Sequence, residues 1–468
     1  MSLVKPVSLV PLAGMGRVHF IGIGGAGMSG IARVFLARGV AVSGSDAKDS
    51  AILAGLRELG ADVHAGHDAA HVEGADTVVV STAVRESNPE LARARELGLR
   101  VLPRAAALGS LMLDRRGVAV AGTHGKTTTS SMLTVVLQRA GAGPGYVIGG
   151  RLMSTGLGAE DGTGEVLVAE ADESDGSFLM LPAEVAVVTN VEADHLDNYA
   201  GLDEIHESFA RFAAAAPLVV ACADDAGAMR ASRAARDAGR RVVTYGTTAG
   251  ADYRIGTITP QGFGSSFALT GPGGVDLGVF RLAVPGAHNV MNAAAAIATA
   301  AELGHDPAAL RDGLADFTGA ARRFEPRGEA RGVRVYDSYA HHPTELAADL
   351  RAARDFAGDG RVVAVFQPHL FSRTRVFAAE FGAALGLADE VVVMGIYPAR
   401  EDPEPGVTGE LVSRAVPHGH VMYEPTWEKV AGHVSRLARP GDVVLTMGAG
   451  DVTDMGPEIV AALVTSGG

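Results

Sequence analysis

The chain has 468 residues, enough for two to four domains, and its 47% hydrophobic and 20% charged residues are an ordinary globular balance. A formal net charge of −14 argues against a nucleic-acid-binding surface, and a single cysteine, Cys222, rules out an internal disulfide and fits a reducing cytoplasm. No apolar run reaches the roughly 18 residues a membrane span needs, and no cleavable leader pattern stands at the N-terminus, so a cytoplasmic protein with no membrane span and no nucleic-acid partner is expected.

Three blocks follow in chain order. The first, about 16–113, opens with a strand over 17–23, the turn GIGGAGMSG, a helix over 31–38 and a strand over 40–45 that ends on Asp46. Strand-like runs recur at 77–81 and 99–102, each after a helical pattern, so a parallel sheet is predicted. Gly22, Gly24 and Gly27 have the spacing G-x-G-x-x-G. With 61 glycines in the chain the pattern alone is weak. At a first β–α turn, however, the missing side chains let a diphosphate approach the backbone, and Asp46 stands where a ribose hydroxyl would sit. The motif does not distinguish NAD from another diphosphate, and a purely structural tight turn is the alternative.

The second block, about 114–319, carries the most specific signal. A strand over 118–121 runs into AGTHGKTTT and then an amphipathic run over 130–137. Lys126 is one of only four lysines among 40 basic residues. Val120 stands where a full Walker A needs glycine, leaving the shorter G-x-x-G-K-T of residues 122–127. In a strand–turn–helix setting, backbone N–H groups and the helix N-terminus face phosphates. The ammonium reaches the terminal ones, and the Thr127 hydroxyl ligates Mg²⁺. Strands over 165–170 and 185–190 end in EADESDGSF and TNVEADHLD, which gather Glu170, Asp172, Glu173, Asp175, Glu192, Asp194, His195 and Asp197. Acids so crowded beside a phosphate loop point to hard cations; solvated N-capping loops are the alternative. A further α/β pair is expected over 204–245, antiparallel β over 251–284 and a helix over 290–302, with His288, Asn289 and Asn292 at its start as ligands or caps.

The third block begins near Arg322. Strands over 333–337, 362–366, 390–395 and 443–447 alternate with helices over 344–356, 376–387 and 409–416, a second doubly wound unit. YDSYAHHPTE and FQPHLFSRTR put Asp337, Tyr339, His341, His342, His369, Arg373 and Arg375 just after adjacent strands. Polar groups at such strand ends line ligand crevices, here one suited to a carboxylate or phosphate.

Taken in register, HFIGIGGAGMSGIA, GTHGKTTT, EADESDGSF, TNVEADHLDNY, PGAHNVMNAAAA, RRFE, YAHHPTE and FQPH resemble the motifs of the Mur ligases, ATP-dependent enzymes of peptidoglycan synthesis, and most nearly their alanine-adding branch. The resemblance covers nearly the whole chain. It implies an α/β protein of three domains: a Rossmann-like N-terminal domain (1–113), a central P-loop ATPase-like α/β domain with a small antiparallel β part (114–321), and a Rossmann-like C-terminal domain (322–468). It implies UDP-N-acetylmuramate, L-alanine and ATP as substrates, Mg²⁺ as cofactor, and a monomer or weak homodimer. ATP contacts would come from Gly122, Thr123, His124, Gly125, Lys126, Thr127 and Thr128, with His288, Asn289 and Asn292 on the adenine side. Thr127, Glu170 and His195 would hold the metal. Gly24, Gly25, Ala26, Gly27, Met28, Ser29, Asp46 and Glu173 would meet the sugar nucleotide. Tyr339, His341, His369 and Arg373 would meet the amino acid, and the catalytic set would be Lys126, His195, Glu170, His341 and Arg373.

Three departures accompany the resemblance. Asp337-Ser338-Tyr339 stands where many relatives read Asp-Asp-Tyr, and Leu370 where many carry Arg. No lysine lies between Lys126 and Lys429, which excludes the bridging lysine that other branches carbamylate. The competing readings are a murein-recycling ligase that adds a tripeptide to the same sugar nucleotide, an NAD-dependent oxidoreductase, and a non-catalytic nucleotide-binding module.

Overall fold

The computed structural model describes residues 3–196, 198–399 and 401–465; Asp197, among the acids read as cation ligands, lies outside the described residues. Chain packing divides the protein into two units. One runs from the N-terminus through Thr257 and takes in Phe267–Phe280 and Met291–Phe317; the other comprises Ile258–Ser266, Arg281–Val290 and the chain from Thr318 onward.

The first sheet is built from β1 (Val18–Ile21), β2 (Val42–Asp46), β3 (Asp62–Ala65), β4 (Thr77–Val80) and β5 (Arg100–Pro103), all parallel, in the order β3-β2-β1-β4-β5. Helices α1 (Ala26–Ala37), α2 (Ala51–Glu58), α3 (Pro89–Glu96) and α4 (Arg104–Met112) lie between and after the strands. All four residues of β1 are buried, as expected for a strand covered on both faces. The strand order reverses beside β1, so the Gly-rich turn after it sits at the switch point where such sheets bind ligands. The expected loop over 24–29 is corrected here: α1 begins at Ala26, so Gly27, Met28 and Ser29 are already helical. The four residues from Gly22 to Gly25 suffice for the turn, because Gly22 takes a left-handed φ of 80° and Gly25 is the extended N-cap. Gly27 serves close approach instead, since a Cβ there would lie 2.6 Å from Arg104 Nη1.

The second sheet contains β6 (Arg116–Ala121), β7 (Gly145–Val147), β8 (Ala159–Glu160), β9 (Val166–Glu170), β10 (Val185–Val188), β11 (Leu218–Cys222), β12 (Arg241–Gly246), β13 (Tyr253–Gln261), β14 (Gly264–Thr270) and β15 (Asp276–Leu282). Its order is β15-β14-β13-β12-β11-β10-β6-β9-β7-β8. From β7 through β13 the pairings are parallel, and β8 closes one edge antiparallel to β7. Its helices are α5 (Lys126–Arg139), α6 (Leu202–Ala215), α7 (Ala226–Asp237), α8 (Ala287–Glu302) and α9 (Pro307–Ala315). The single α/β pair expected over 204–245 is two, α6–β11 and α7–β12. In α8 the residues Ala293 to Ala298 are all fully buried, which an alanine-rich face permits by letting neighbours pack close. Cys222 is buried at the end of β11, and burial pushes its thiol up to about 11, so it is a small apolar residue.

The third sheet holds β16 (Arg323–Ala330), β17 (Val333–Ser338), β18 (Val362–Phe366), β19 (Glu390–Val393), β20 (Val421–Tyr423) and β21 (Val443–Met447) in the order β16-β17-β21-β18-β19-β20, parallel except for the β16 edge. Helices α10 (Pro343–Ala357), α11 (Phe371–Leu385), α12 (Glu410–Ala415), α13 (Trp427–Leu437) and α14 (Met455–Thr465) flank it. Leu346, Leu350, Phe366 and Phe381 pack in one core cluster, and Val430, Val434, Ile459 and Leu463 in another. β16 escaped sequence reading because its Pro326 and Gly328 break the alternation; they coincide with a register shift at the edge. Among the described residues, no helix is long and apolar enough to cross a membrane.

Candidate active site

The phosphate loop lies between β6 and α5. Gly122 and Gly125 have φ of 142° and 82°, values that favour glycine, and α5 starts at Lys126. The loop is pinned to the end of β10: Asn190 Oδ1 accepts from the His124 N–H at 2.8 Å, Asn190 Nδ2 donates to the His124 carbonyl at 3.1 Å, and Thr189 Oγ1 donates to the same carbonyl at 2.7 Å. Asn292 Oδ1 accepts from Thr129 at 3.2 Å, and a Cβ on Gly125 would approach that oxygen to 2.5 Å, so Asn292 buttresses the loop from α8.

Lys126 folds back over this loop. Its ammonium donates to the carbonyls of Gly122 (2.7 Å) and Thr123 (3.3 Å) and pairs with Glu173 Oε1 at 2.8 Å. Burial by itself would favour the neutral amine. The carboxylates of Glu173, Asp172 and Glu170 outweigh it and hold Lys126 above its ordinary range, so the side chain stays a cation. Glu173, expected to meet the sugar nucleotide, stands against the phosphate-loop lysine.

Part of the acidic set stands beside the loop. Thr127 Oγ1 donates to Glu170 Oε2 at 2.9 Å, and the Gly149 N–H donates to the same oxygen at 2.7 Å. His195 Nε2 lies 3.8 Å from Glu173 Oε1 and 3.6 Å from Asp194 Oδ2. His195 also has φ of 53°, rare for a residue with a Cβ, held by its own N–H on Asp194 Oδ1 at 2.7 Å. Glu173 Oε2 is buried with no hydrogen-bond partner among the described residues. The hydroxyl and carboxylate oxygens of the Thr127–Glu170 pair, and the orphaned Glu173 oxygen, are hard donors of the kind Mg²⁺ takes. Sequence reading missed Arg104, whose Nη2 donates to Asp172 Oδ2 at 2.8 Å. Burial would raise the Asp172 pKa, but Arg104 and then Lys126 draw it below the usual carboxylate range. Its one available signal was position, just past the end of β5.

At the first turn, Asp46 Oδ2 accepts the Gly24 N–H at 2.9 Å, so this acid shapes the turn itself. Ser29 Oγ donates to the Ala26 carbonyl at 3.1 Å within α1.

In the other unit, Tyr339, His341 and His369 come together after β17 and β18. The ring centroids of Tyr339 and His341 are 5.1 Å apart and those of His341 and His369 6.1 Å, while His369 stacks on Tyr397 at 5.8 Å. Arg322 and Arg323 lie over the Tyr339 ring at 4.9 and 5.1 Å. Arg373 is buried in the first turn of α11, following Leu370, whose φ is 68°. Asn289 Nδ2 donates to the Pro285 carbonyl at 2.7 Å. His288 Nε2 lies 3.6 Å from Asp349 Oδ1, with its pKa pushed down to about 4 by burial and by Arg323.

Three nucleotide-fold sheets and a phosphate loop whose charged lysine is ringed by carboxylates define a nucleotide-dependent group-transfer enzyme. The chain matches the Mur ligase family, catalytic domain, over residues 17–116, the Mur ligase middle domain over 120–300, and the Mur ligase, glutamate ligase domain, over 322–450. It is 61% identical to the UDP-N-acetylmuramate–L-alanine ligase of Thermobifida fusca, covering 99% of this chain and 100% of that one. Among solved structures, the UDP-N-acetylmuramate-alanine ligase of Thermotoga maritima is 30% identical with a TM-score of 0.81, over 96% of this chain and 99% of that one. A murein peptide ligase of Psychrobacter arcticus is 25% identical with a TM-score of 0.71, over 96% and 99%. The chain belongs to the Mur ligase family and is an ATP-dependent acid–amino-acid ligase.

Proposed function

We propose that this chain joins L-alanine to the lactyl carboxylate of UDP-N-acetylmuramate, converting ATP to ADP and phosphate through an acyl-phosphate intermediate. The observation that carries the reading is the Lys126–Glu173 and Thr127–Glu170 pairing on one phosphate loop, in a chain 61% identical to a relative named for that reaction.

A carboxylate is a poor acyl donor, so it is activated by taking the terminal phosphoryl group of ATP. Two anions then have to meet. Lys126, kept cationic by its carboxylate neighbours, is the residue that offsets their repulsion, and the N–H groups at the start of α5 take up the phosphate oxygens. Thr127, Glu170 and His195 would hold Mg²⁺, which supplies further charge neutralisation when bound. The Gly22–Gly25 turn and the start of α1 receive the diphosphate of the sugar nucleotide. Tyr339, His341, His369 and Arg373 orient the amino acid, whose amine displaces phosphate from the acyl carbon. The reaction belongs to the cytoplasm, in peptidoglycan precursor synthesis, and the enzyme works as a monomer or weak homodimer.

The test is phosphate release from ATP with UDP-N-acetylmuramate, with L-alanine added, omitted, or replaced by a murein tripeptide. Release that requires L-alanine and yields UDP-N-acetylmuramoyl-L-alanine supports the reading. Release with tripeptide alone moves the chain to the recycling activity, and no release with either refutes both.

A further inference from the structure

Glu90 is fully buried near the start of α3 and takes no part in the chemistry above. Its carboxylate is reached from four elements. Oε2 accepts from Ser45 Oγ on β2 at 2.5 Å and stands 3.1 Å from His67 Nδ1, in the loop after β3. Oε1 stands 2.8 Å from His71 Nδ1, in the helical turn Ala69–Val72, and His19 Nε2 on β1 lies 3.8 Å from Oε2. A carboxylate taken out of water is strongly unfavourable unless donors converge on it, and here they do.

The network ends at the first nucleotide turn. The Ser45 carbonyl accepts the N–H of Gly22 at 2.8 Å and of Ile23 at 2.9 Å, and the next residue, Asp46, accepts the N–H of Gly24 at 2.9 Å. Three successive amides of the turn therefore hang from Ser45 and Asp46, and the Ser45 side chain hangs from Glu90.

We propose that Glu90 is a positioning residue for the sugar nucleotide: by fixing Ser45 it holds the Gly22–Gly24 turn in the shape that receives a diphosphate. The proposal rests on the reading of that turn as the sugar-nucleotide site. Glutamine has the same shape, but its amide nitrogen donates, so it opposes either the Ser45 hydroxyl and His67 or the His71 ring. Aspartate keeps the charge on a shorter arm.

The experiment is calorimetric titration of the full chain with UDP-N-acetylmuramate and, separately, with a non-hydrolysable ATP analogue and Mg²⁺, for the wild type, Glu90→Gln, Glu90→Asp, Ser45→Ala and the Glu90→Gln/Ser45→Ala double variant. Glu90→Gln is expected to bind the sugar nucleotide about tenfold more weakly with the ATP analogue unaffected. Glu90→Asp should fall between, and the double variant should add nothing to Glu90→Gln. Unchanged sugar-nucleotide affinity in Glu90→Gln overturns the proposal, as does an equal loss for both ligands with a lowered unfolding temperature. A wild type that does not bind UDP-N-acetylmuramate overturns the functional reading and this proposal with it; wild-type binding matched by Glu90→Gln overturns the proposal alone.

Discussion

Thr127 donates its hydroxyl to Glu170 Oε2 at 2.9 Å, so the first turn of α5 and the end of β9 present adjacent hard oxygens beside the phosphate loop. In the structure the two satisfy each other, and a cation would exchange that hydrogen bond for two coordinate bonds. Thr127→Val and Glu170→Gln are each expected to raise the Mg²⁺ concentration needed for half-maximal phosphate release by about 10–100-fold, as loss of a ligand or its support does elsewhere. A Mg²⁺ titration of the rate checks this, and an unchanged midpoint in both variants removes these residues from the cation site.

Lys126 and Glu173 are nearly excluded from water, with side-chain exposures of 15% and 3%. Lys126→Ala therefore removes a positive charge from the reacting phosphates and leaves a buried carboxylate without its main partner. Phosphate release is expected to fall by at least about 10³-fold. Binding of UDP-N-acetylmuramate, followed by calorimetry, should change less than about twofold if the two nucleotide sites are separate. Equal loss of both would show one shared site.

How much of this was legible depended on periodicity and on chemistry with a local signature. The strands over 362–366 and 443–447 were readable to the residue because parallel, doubly covered strands are continuous apolar runs. The start of α5 at Lys126 was hidden, since KTTTSS reads as loop until the phosphate-loop geometry requires those residues to be helical. Glu170, Lys126 and Thr127 could be singled out because their motifs are local, and the fold brings Thr127 to Glu170. Glu173 was read toward the sugar nucleotide, and its pairing with Lys126 was not foreseen, because sequence cannot say which way an acid on a turn faces. Arg104 and Glu90 had no motif at all; their importance comes from residues 68 positions away in one case and 45 in the other.

Gly125 and Gly27 make a matched test of what the glycines do. At Gly125 a side chain would meet both an unfavourable φ of 82° and Asn292 Oδ1 at 2.5 Å. Gly125→Ala is expected to cost about 1 kcal/mol in backbone strain alone and to lower kcat at least about tenfold by shifting the loop. At Gly27 the helix geometry is ordinary and the obstacle, Arg104 Nη1, is the end of a flexible side chain. Gly27→Ala should leave the unfolding temperature within about a degree of wild type and weaken only sugar-nucleotide binding. Comparing kcat and both KM values separates the two outcomes.

Burial would raise the Glu90 pKa, but the nearby His19 imidazole, with hydrogen bonds from Ser45 and His71, brings it down to about 2 from its usual 4.5. A depressed carboxylate stabilises the fold fully above its unfolded pKa and loses that contribution as pH falls through its folded one. Acid unfolding between about pH 4.5 and 2 should therefore be less steep in Glu90→Gln, which lacks this titration, by an amount on the order of 3 kcal/mol across the window. Chemical denaturation at several pH values measures the slope. A variant with the wild-type slope would mean that Glu90 does not carry its charge in the fold.

Asp349 has the opposite sign. Burial, with a smaller push from Glu345, raises it to about 7 although Ser338 donates a hydrogen bond to its Oδ2 and Arg323 draws it down. The folded chain thus keeps a proton that the unfolded chain has lost above about pH 4. Stability from this group is fully present below the unfolded value of 3.8 and declines as pH rises toward about 7. Asp349→Asn mimics the protonated acid, can still accept from Ser338, and has nothing to ionise. It should match the wild type near pH 4 and unfold about 4 °C higher at pH 8. Should the variant instead be less stable at pH 8, the 3.6 Å contact with His288 would have to be an ion pair, and both groups would carry charge in the fold.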